Sequence, residues 1–431
     1  MTKWEQIYQS KLVSAQEAAQ ALKSGDNIFL PIGAGDAPAV LEAMAGRKDE
    51  LEGVSVHQML PLRNLTYLQP GMEKHFRSNG WFLSGLNRGL AQQGLADVTP
   101  NFFYDSPRLI TEYWDVDVVM ATVSPMDEHG FFSFGVNVDY ISTAAQKAKI
   151  VILEVNPSMP RSFGDSFIHV SDATFLVENN IPIPEIPPAP VSQLDRVIGN
   201  YIAELVEDGS TIQLGIGGIP QATAQCLLSK RDLGVHTEMI TDSIMDLVEA
   251  GAANGSKKTM NRGKVVGTFA LGTRKLYDFI HNNPAVELYP VSYTNDPAVI
   301  GRQHKMVTIN AAIEVDLLGQ CASESIGHAQ FSGTGGQADF SHGAIRSPGG
   351  KGFITIPSTT KGGTISRIVA TLKPGAVVTT SKNAVDYVVT EYGVAKLRGK
   401  TLRQRAEALI AIAHPDFRGQ LREEGRKLQI L

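Results

Sequence analysis

The sequence predicts an α/β protein of two similar open, mainly parallel halves, and three observations carry that expectation. Apolar strand-like runs alternate with amphipathic helical runs along the chain. A strand, glycine turn and proline occur twice, in the first and second halves. A proline-rich connector separates the two occurrences. The 431 residues exceed one ordinary core, and a composition of 43% apolar and 19% charged residues is enough to fill two.

In chain order, Ser14-Ala15-Gln16-Glu17 has the form of a capping box opening a helix that ends at Gly25. A strand from Asn27 to Ile32 then runs into Gly33-Ala34-Gly35-Asp36-Ala37-Pro38. Ser192-Gln193-Leu194-Asp195 opens a second such helix, with Leu194, Val197, Ile198, Tyr201, Ile202 and Leu205 at helical spacing before Gly209. The strand Thr211-Ile212-Gln213-Leu214 and the turn Gly215-Ile216-Gly217-Gly218 follow. Pro220 then stands in the first turn of a helix over 221–230, where its missing N–H costs nothing. Ala222, Cys226 and Leu227 form the apolar side of that helix, which makes Cys226 a core residue and not a nucleophile.

Gly25, Ile28, Leu30, Ile32 and Gly33 match Gly209, Ile212, Leu214, Ile216 and Gly217 at one offset. Further on, Val56-His57-Gln58-Met59 stands where His236-Thr237-Glu238-Met239 stands in the second half, so the pattern reads as an internal duplication. Any two βα units share some of this punctuation, and that reading stays beside it. Five of the eleven residues from Asn180 to Pro190 are proline, which favours an extended, stiff connector. Domains at 1–185 and 191–431 follow. In the second, strands are expected over 234–240, 264–271, 286–293, 306–315, 352–357, 376–380 and 387–389, with helices over 273–281 and 401–414.

A formal charge of −5 leaves no basic footprint for nucleic acid. Two cysteines fit a reducing compartment, and neither a signal peptide nor a run long enough to cross a membrane is visible, so a soluble cytoplasmic protein is expected. The ten histidines lack metal-ligand spacing, so no metal site is expected.

The turn Gly215 to Gly218, with Glu238 downstream, has part of a dinucleotide-binding pattern, but Pro220 occupies the third glycine position and weighs against NAD. A plain βα turn explains the glycines and leaves Glu238 unexplained. Gly333-Thr334-Gly335-Gly336-Gln337 and Ser358-Thr359-Thr360-Lys361-Gly362-Gly363 add backbone N–H groups and a lysine that suit a pyrophosphate or a thioester oxygen. Glu238, Glu324 and Glu391 all fall beside strand ends or turns. Periodicity does not choose among them.

Several motifs in a fixed order resemble one family: Val123-Ser124-Pro125-Met126-Asp127-Glu128-His129-Gly130, Glu154-Val155-Asn156, GIGGIP at 215–220, His236-Thr237-Glu238-Met239, Gly335-Gly336-Gln337-Ala338-Asp339-Phe340, Ile356-Pro357-Ser358 and Val389-Thr390-Glu391-Tyr392-Gly393. Over its whole length the chain is similar to class I CoA-transferases of the acetyl-CoA hydrolase/transferase group, nearest the 4-hydroxybutyrate and butyrate:acetate types. The resemblance implies two α/β domains of CoA-transferase type with the active site at their interface. It implies Glu238 as the nucleophile carrying CoA as a glutamyl thioester, with Asn295 and the Gly336 N–H as oxyanion donors. It further implies CoA contacts from Gln213, Leu214, Gly215, Ile216, Gly217, Gly336 and Lys361, and Gln58 in place of the glutamate in the first copy. Coenzyme A and acyl-CoA would then be substrates with no resident cofactor, short carboxylic acids the acceptors, and a homodimer or larger homo-oligomer the assembly. An acyl-CoA hydrolase with the same glutamate, and a phosphosugar-binding α/β protein, are the alternative readings.

Overall fold

The computed structural model describes Met1–Leu431, and the chain divides into two compact units. The first takes Met1–Pro187 together with Glu238–Ile240 and Val266–Thr294. The second takes Pro188–Thr237, Thr241–Val265 and Asn295–Leu431. No helix is long and apolar enough to cross a membrane.

In the first unit seven strands form a sheet in the order Phe175–Glu178, Ile150–Val155, Val118–Val123, Asn27–Phe29, Val54–Met59, Phe76–Phe82, Asp97–Val98. Every neighbouring pair is parallel. Val118–Val123 is buried along its whole length, as expected of a strand covered on both faces. Ala18, Leu22, Val40, Leu41 and Met44 of the covering helical segments meet Ile28, Val56, Phe76, Val118 and Ile152 in one core.

Six strands of the second unit lie in the order Gly393–Lys396, Tyr387–Thr390, Lys351–Thr355, Met306–Ala311, Thr211–Leu214, Gly234–His236. Only the hairpin of the first two is antiparallel. The helices Leu402–Ile412 and Pro415–Lys427 supply Leu409, Ile410, Ile412 and Leu421 to a core with Val315, Ile354, Ile368 and Val388.

The fold is therefore the α/β class expected, and the two units share a topology. In each, the first strand of the half is interior, the second flanks it on one side, and a strand from later in the chain flanks it on the other. The matched glycines are left-handed in both copies, Gly25 at φ 82° and Gly209 at φ 76°, Gly33 at φ 62° and Gly217 at φ 114°. Side chains other than glycine are strained there.

Local differences from the sequence reading have physical causes. The helix expected from 221 begins at Gly218 and ends at Leu227. It buries Ile219, Pro220, Ala222, Thr223, Ala224 and Leu227. Cys226 turns out of that stripe: it is half-buried and its Sγ donates to Asn200 Oδ1 at 3.0 Å, so it is not a core residue. The strand expected over 234–240 breaks into Gly234–His236 and Met239–Ile240. The strand expected over 286–293 stops at Leu288, before Pro290, and a short helix Val291–Thr294 follows. Residues 376–380 form only a bridge, Thr380 to Cys321. The capping boxes at Ser14 and Ser192 form as read, and two more form at Thr2 with Glu5 and at Thr401 with Gln404.

The proline-rich connector is extended, and its first part is fastened to the first unit. Asn156 Nδ2 donates to the Ile181 carbonyl at 2.8 Å, Arg63 to Pro182 at 3.0 Å and Tyr277 to Pro184 at 2.6 Å. The Arg274 N–H reaches the Glu185 carboxylate at 2.7 Å, and the Ile186 N–H reaches the Gly272 carbonyl at 3.0 Å. Arg63 also pairs with buried Asp36 at 3.1 Å. Asn179, just upstream, donates to buried Glu154 at 2.6 Å.

Burial pushes the Glu154 carboxyl up to about 7 against hydrogen bonds from Asn179, Val40 and Ala39. Asp36 is pushed up to about 6 by burial, opposed by Arg63. A carboxyl with a raised folded-state pKa binds a proton more readily folded than unfolded. Its stabilisation is complete below the unfolded pKa and is lost as pH rises through the folded value. Stability should therefore fall from about pH 4.5 to 7, by on the order of 3 kcal/mol through Glu154. Denaturant unfolding across this range should show a shallower slope in Glu154→Gln.

Candidate active site

Parallel strands end together, and ligands bind α/β sheets at their carboxyl edge. In the second unit, Thr211 faces Gly234 and Ile212 faces Val235, so the glycine turn and Thr237 leave neighbouring strand ends. Gln213 and Leu214 lie beneath the turn, 3% and 1% exposed. Gln213 Oε1 accepts from the Ile309 N–H at 3.2 Å and Asn310 Nδ2 at 3.3 Å. Gly215 N–H donates to the Ile309 carbonyl at 3.1 Å, and Ile216 and Gly217 are exposed, Ile216 at 61%. Of the five residues read as CoA contacts here, Gly215 to Gly217 reach the surface, while Gln213 and Leu214 support them.

Asn295 and Gly336 converge on one helix end. Gly336 is the N-cap of Gln337–Ala344, and Asp339 of its first turn accepts from Asn295 Nδ2 at 3.3 Å. Asn295 is fully buried, which fixes its amide in place. Gln337 ties the same turn to Ser323 Oγ at 2.9 Å and Thr380 Oγ1 at 3.1 Å. N–H groups at such a helix start are oriented to receive negative charge.

Lys361 caps the hairpin of Thr359–Thr360 and Ile365–Ser366. It is exposed and left-handed at φ 50°, followed by Gly362 at 67° and Gly363 at 90°. The two glycines make this tight loop, and the lysine stands at its tip.

Of the three carboxylates the sequence left open, Glu391 and Glu324 each hold a neighbouring loop. Glu391 accepts from the Ser358 N–H at 2.9 Å and Ser358 Oγ at 2.6 Å, holding the turn before the Lys361 hairpin. Glu324 accepts from Thr334 Oγ1 at 2.9 Å in the glycine loop ahead of Gly336. Glu238 occupies the break between two strands and is half-buried. Its carbonyl accepts from the N–H groups of Thr268 at 2.9 Å and Phe269 at 3.3 Å. Met239–Ile240 pairs in parallel with Phe269–Ala270 immediately after. The backbone at this carboxylate is thus held in the first unit, although the strand leading to it belongs to the second.

The first copy is different. Val54–Met59 is unbroken, and Gln58 is buried with its amide on the Pro31 carbonyl at 3.3 Å and its oxygen on Tyr67 OH at 3.1 Å. His57 stacks on Phe29 at 4.3 Å and accepts from Trp81 Nε1 at 3.2 Å, and burial pushes it down to about 3, so it is neutral. Register also corrects the sequence match by one position. Ile28 faces Val56 and Ile212 faces Val235, so His57 corresponds to His236 and Met59, not Gln58, to Glu238.

Sequence reading gave no role to the buried carboxyls Asp36, Asp139 and Glu154. Glu154 had a visible signal, a lone charge inside the apolar run Ile150–Val155. Asp36 and Asp139 lie in irregular segments without a strand or helix period to mark them as buried.

The two units are parallel α/β folds with glycine turns and carboxylates at the carboxyl ends of their strands, where ligands of such sheets bind. Residues 1–187 match the acetyl-CoA hydrolase/transferase N-terminal domain and residues 272–425 its C-terminal domain. The chain belongs to the acetyl-CoA hydrolase/transferase family and is a CoA-transferase. It is 52% identical to a succinyl-CoA:cyclohexane-1-carboxylate CoA transferase of Geobacter metallireducens, covering 99% of this chain and 97% of that one. It is 49% identical to a 4-hydroxybutyrate coenzyme A transferase of Clostridium kluyveri, covering 98% and 99%. The crystal structure of a 4-hydroxybutyrate CoA-transferase from Porphyromonas gingivalis superposes with a TM-score of 0.86 at 42% identity, over 99% and 100% of the two chains.

Proposed function

We propose that this CoA-transferase exchanges CoA between an acyl-CoA and a short carboxylic acid by ping-pong kinetics, through a thioester on Glu238. The observation that carries the reading is the half-buried Glu238 carboxylate at a strand break, with its backbone clamped by Thr268 and Phe269. A fixed carboxylate at a sheet's carboxyl edge is the arrangement a covalent step needs. The acids named for two relatives, 4-hydroxybutyrate and cyclohexane-1-carboxylate, support carboxylic acids as acceptors.

Glu238 attacks the thioester carbonyl and expels CoA thiolate, leaving an acyl–glutamyl anhydride. The thiolate attacks the glutamyl carbonyl of that anhydride and releases the first acid as carboxylate. The enzyme now carries CoA on Glu238. The second acid attacks this thioester and the same two steps run in reverse, so no thioester energy is lost to water.

A carboxylate is a weak nucleophile, so positioning and oxyanion stabilisation must supply the rate. Asn295 and the Gly336 N–H are assigned that stabilisation. Gln213 to Gly217, Gly336 and Lys361 are assigned to CoA, whose distant nucleotide provides binding energy usable at the reacting carbonyl. CoA is a substrate here, and no resident cofactor is invoked.

The test is mass spectrometry of protein quenched after mixing with butyryl-CoA. A CoA adduct on Glu238 is expected; its absence under turnover conditions would overturn the reading. Acetate, butyrate, 4-hydroxybutyrate and cyclohexane-1-carboxylate should then be compared as acceptors. A hydrolase with the same site would release CoA at an equal rate with and without acetate. Sedimentation should show a homodimer or larger homo-oligomer, the expected assembly.

Lys361→Ala should lower kcat/KM for acyl-CoA on the order of tenfold, because a charge-assisted contact to a remote phosphate, whose binding energy serves the reacting carbonyl, is lost. Steady-state kinetics with a short acyl-CoA checks this. An unchanged kcat/KM would remove Lys361 from CoA binding.

A further inference from the structure

The chain that holds Glu238 is itself held by a buried aspartate. The Thr268 N–H supports the Glu238 carbonyl at 2.9 Å, and the Thr268 carbonyl accepts from Val138 at 3.1 Å and Asp139 at 3.2 Å. The Ala270 N–H reaches Val136 at 2.8 Å, and Asn137 bridges Phe269. Segment 136–139 is therefore the layer directly behind the two residues that clamp Glu238. Its shape is set at Asp139, which is fully buried and left-handed at φ 23°. Aspartate tolerates that conformation because its short side chain bonds locally. Oδ1 accepts from the N–H groups of Tyr140 at 2.6 Å and Ile141 at 3.0 Å, and Oδ2 accepts from Ile32 at 3.3 Å. Its carbonyl accepts from Val291 at 2.9 Å, at the start of the short helix that runs directly into Asn295. One residue thus fixes the support of the proposed nucleophile and the start of the helix preceding a proposed oxyanion donor.

We propose that Asp139 is a positioning residue for the reaction: it locks segment 136–139 so that Thr268 holds Glu238 in place. The inference rests on Glu238 as nucleophile. Burial pushes the Asp139 carboxyl up to about 7, so its hydrogen bonds to backbone N–H groups are what keep a charge tolerable there. Asparagine cannot accept all three, because its amide group would face an N–H donor with another donor. A carboxylate misplaced by even a fraction of an ångström loses rate steeply.

The experiment compares wild type, Asp139→Asn and Asp139→Glu with Glu154→Gln, a buried carboxyl of the same unit that touches neither Thr268 nor Val291. Single-turnover formation of the Glu238–CoA adduct from butyryl-CoA is followed by quenched mass spectrometry, and kcat is normalised to the fraction of sites forming adduct. For Asp139→Asn the adduct rate and normalised kcat should fall about tenfold to hundredfold, with KM for acyl-CoA within threefold. Asp139→Glu should recover part of the loss, and Glu154→Gln should change melting temperature and leave normalised kcat unchanged. If Asp139→Asn matches Glu154→Gln, Asp139 serves stability alone and the assignment is overturned, as it is if neither Asp139 variant folds. Absence of adduct in wild type would instead overturn the Glu238 reading, and this inference with it.

Discussion

Glu238→Ala is expected to lose CoA transfer by about ten-thousand-fold or more, with CoA binding retained. The size follows from the role: a covalent nucleophile cannot be replaced by neighbours, and its removal elsewhere costs factors of this order or larger. Retention of binding follows from position. The glycine turn at 215–217, Gly336 and Lys361 belong to the second unit, while Glu238 is built into the first. Calorimetry with CoA should therefore give a near-wild-type dissociation constant, and the adduct mass should disappear. Glu238→Gln should be equally inactive, since the amide keeps the shape and loses the nucleophilic oxygen. Transfer at a tenth of the wild-type rate in either variant would assign the chemistry to another group.

The second large effect is expected at Asn295. Asn295→Ala should lower kcat by about 10²–10³ and change KM for acyl-CoA little, because an oxyanion donor acts on charge that develops only in the transition state. Asn295 is fully buried and its Nδ2 already donates to Asp339 at 3.3 Å, so its orientation is set before substrate arrives. Asp339→Asn gives the matching control: with the acceptor weakened, the loss should be smaller but in the same direction. A proportional rise in KM with constant kcat would make Asn295 a binding residue instead.

The fold was legible because its signals are local and periodic. Capping boxes at Ser14 and Ser192 and the left-handed glycines at 25, 33, 209 and 217 are consequences of backbone chemistry that a few neighbouring residues decide. What stayed hidden depends on distant partners. The strand break at Thr237–Glu238 arises where Glu238 leaves one ladder for hydrogen bonds to Thr268 and Phe269, and no window around 238 contains them. The same is true of Asp139, which looks like a surface loop residue until Ile32 and Val291 are brought to it. Cys226 was misjudged for a simpler reason, since a helix starting at Gly218 turns its apolar stripe toward Ala222 and Thr223. For the proposed site, Glu238, Asn295, Gly336 and Lys361 came from family likeness. Periodicity alone left three glutamates level, and the anchoring roles of Glu324 and Glu391 emerge only from their partners Thr334 and Ser358.

The interleaving of the two units governs how the protein must be made. The first unit incorporates Glu238–Ile240 and Val266–Thr294, so a ribosome has to pass residue 294 before that unit has all its parts. Until then the amino-terminal sheet, whose seven strands all lie between Asn27 and Glu178, is made without the segments that complete its unit. Splitting the gene after Pro187 would accordingly strand essential pieces of one unit on the wrong polypeptide, and neither product should assemble unless the two are translated together.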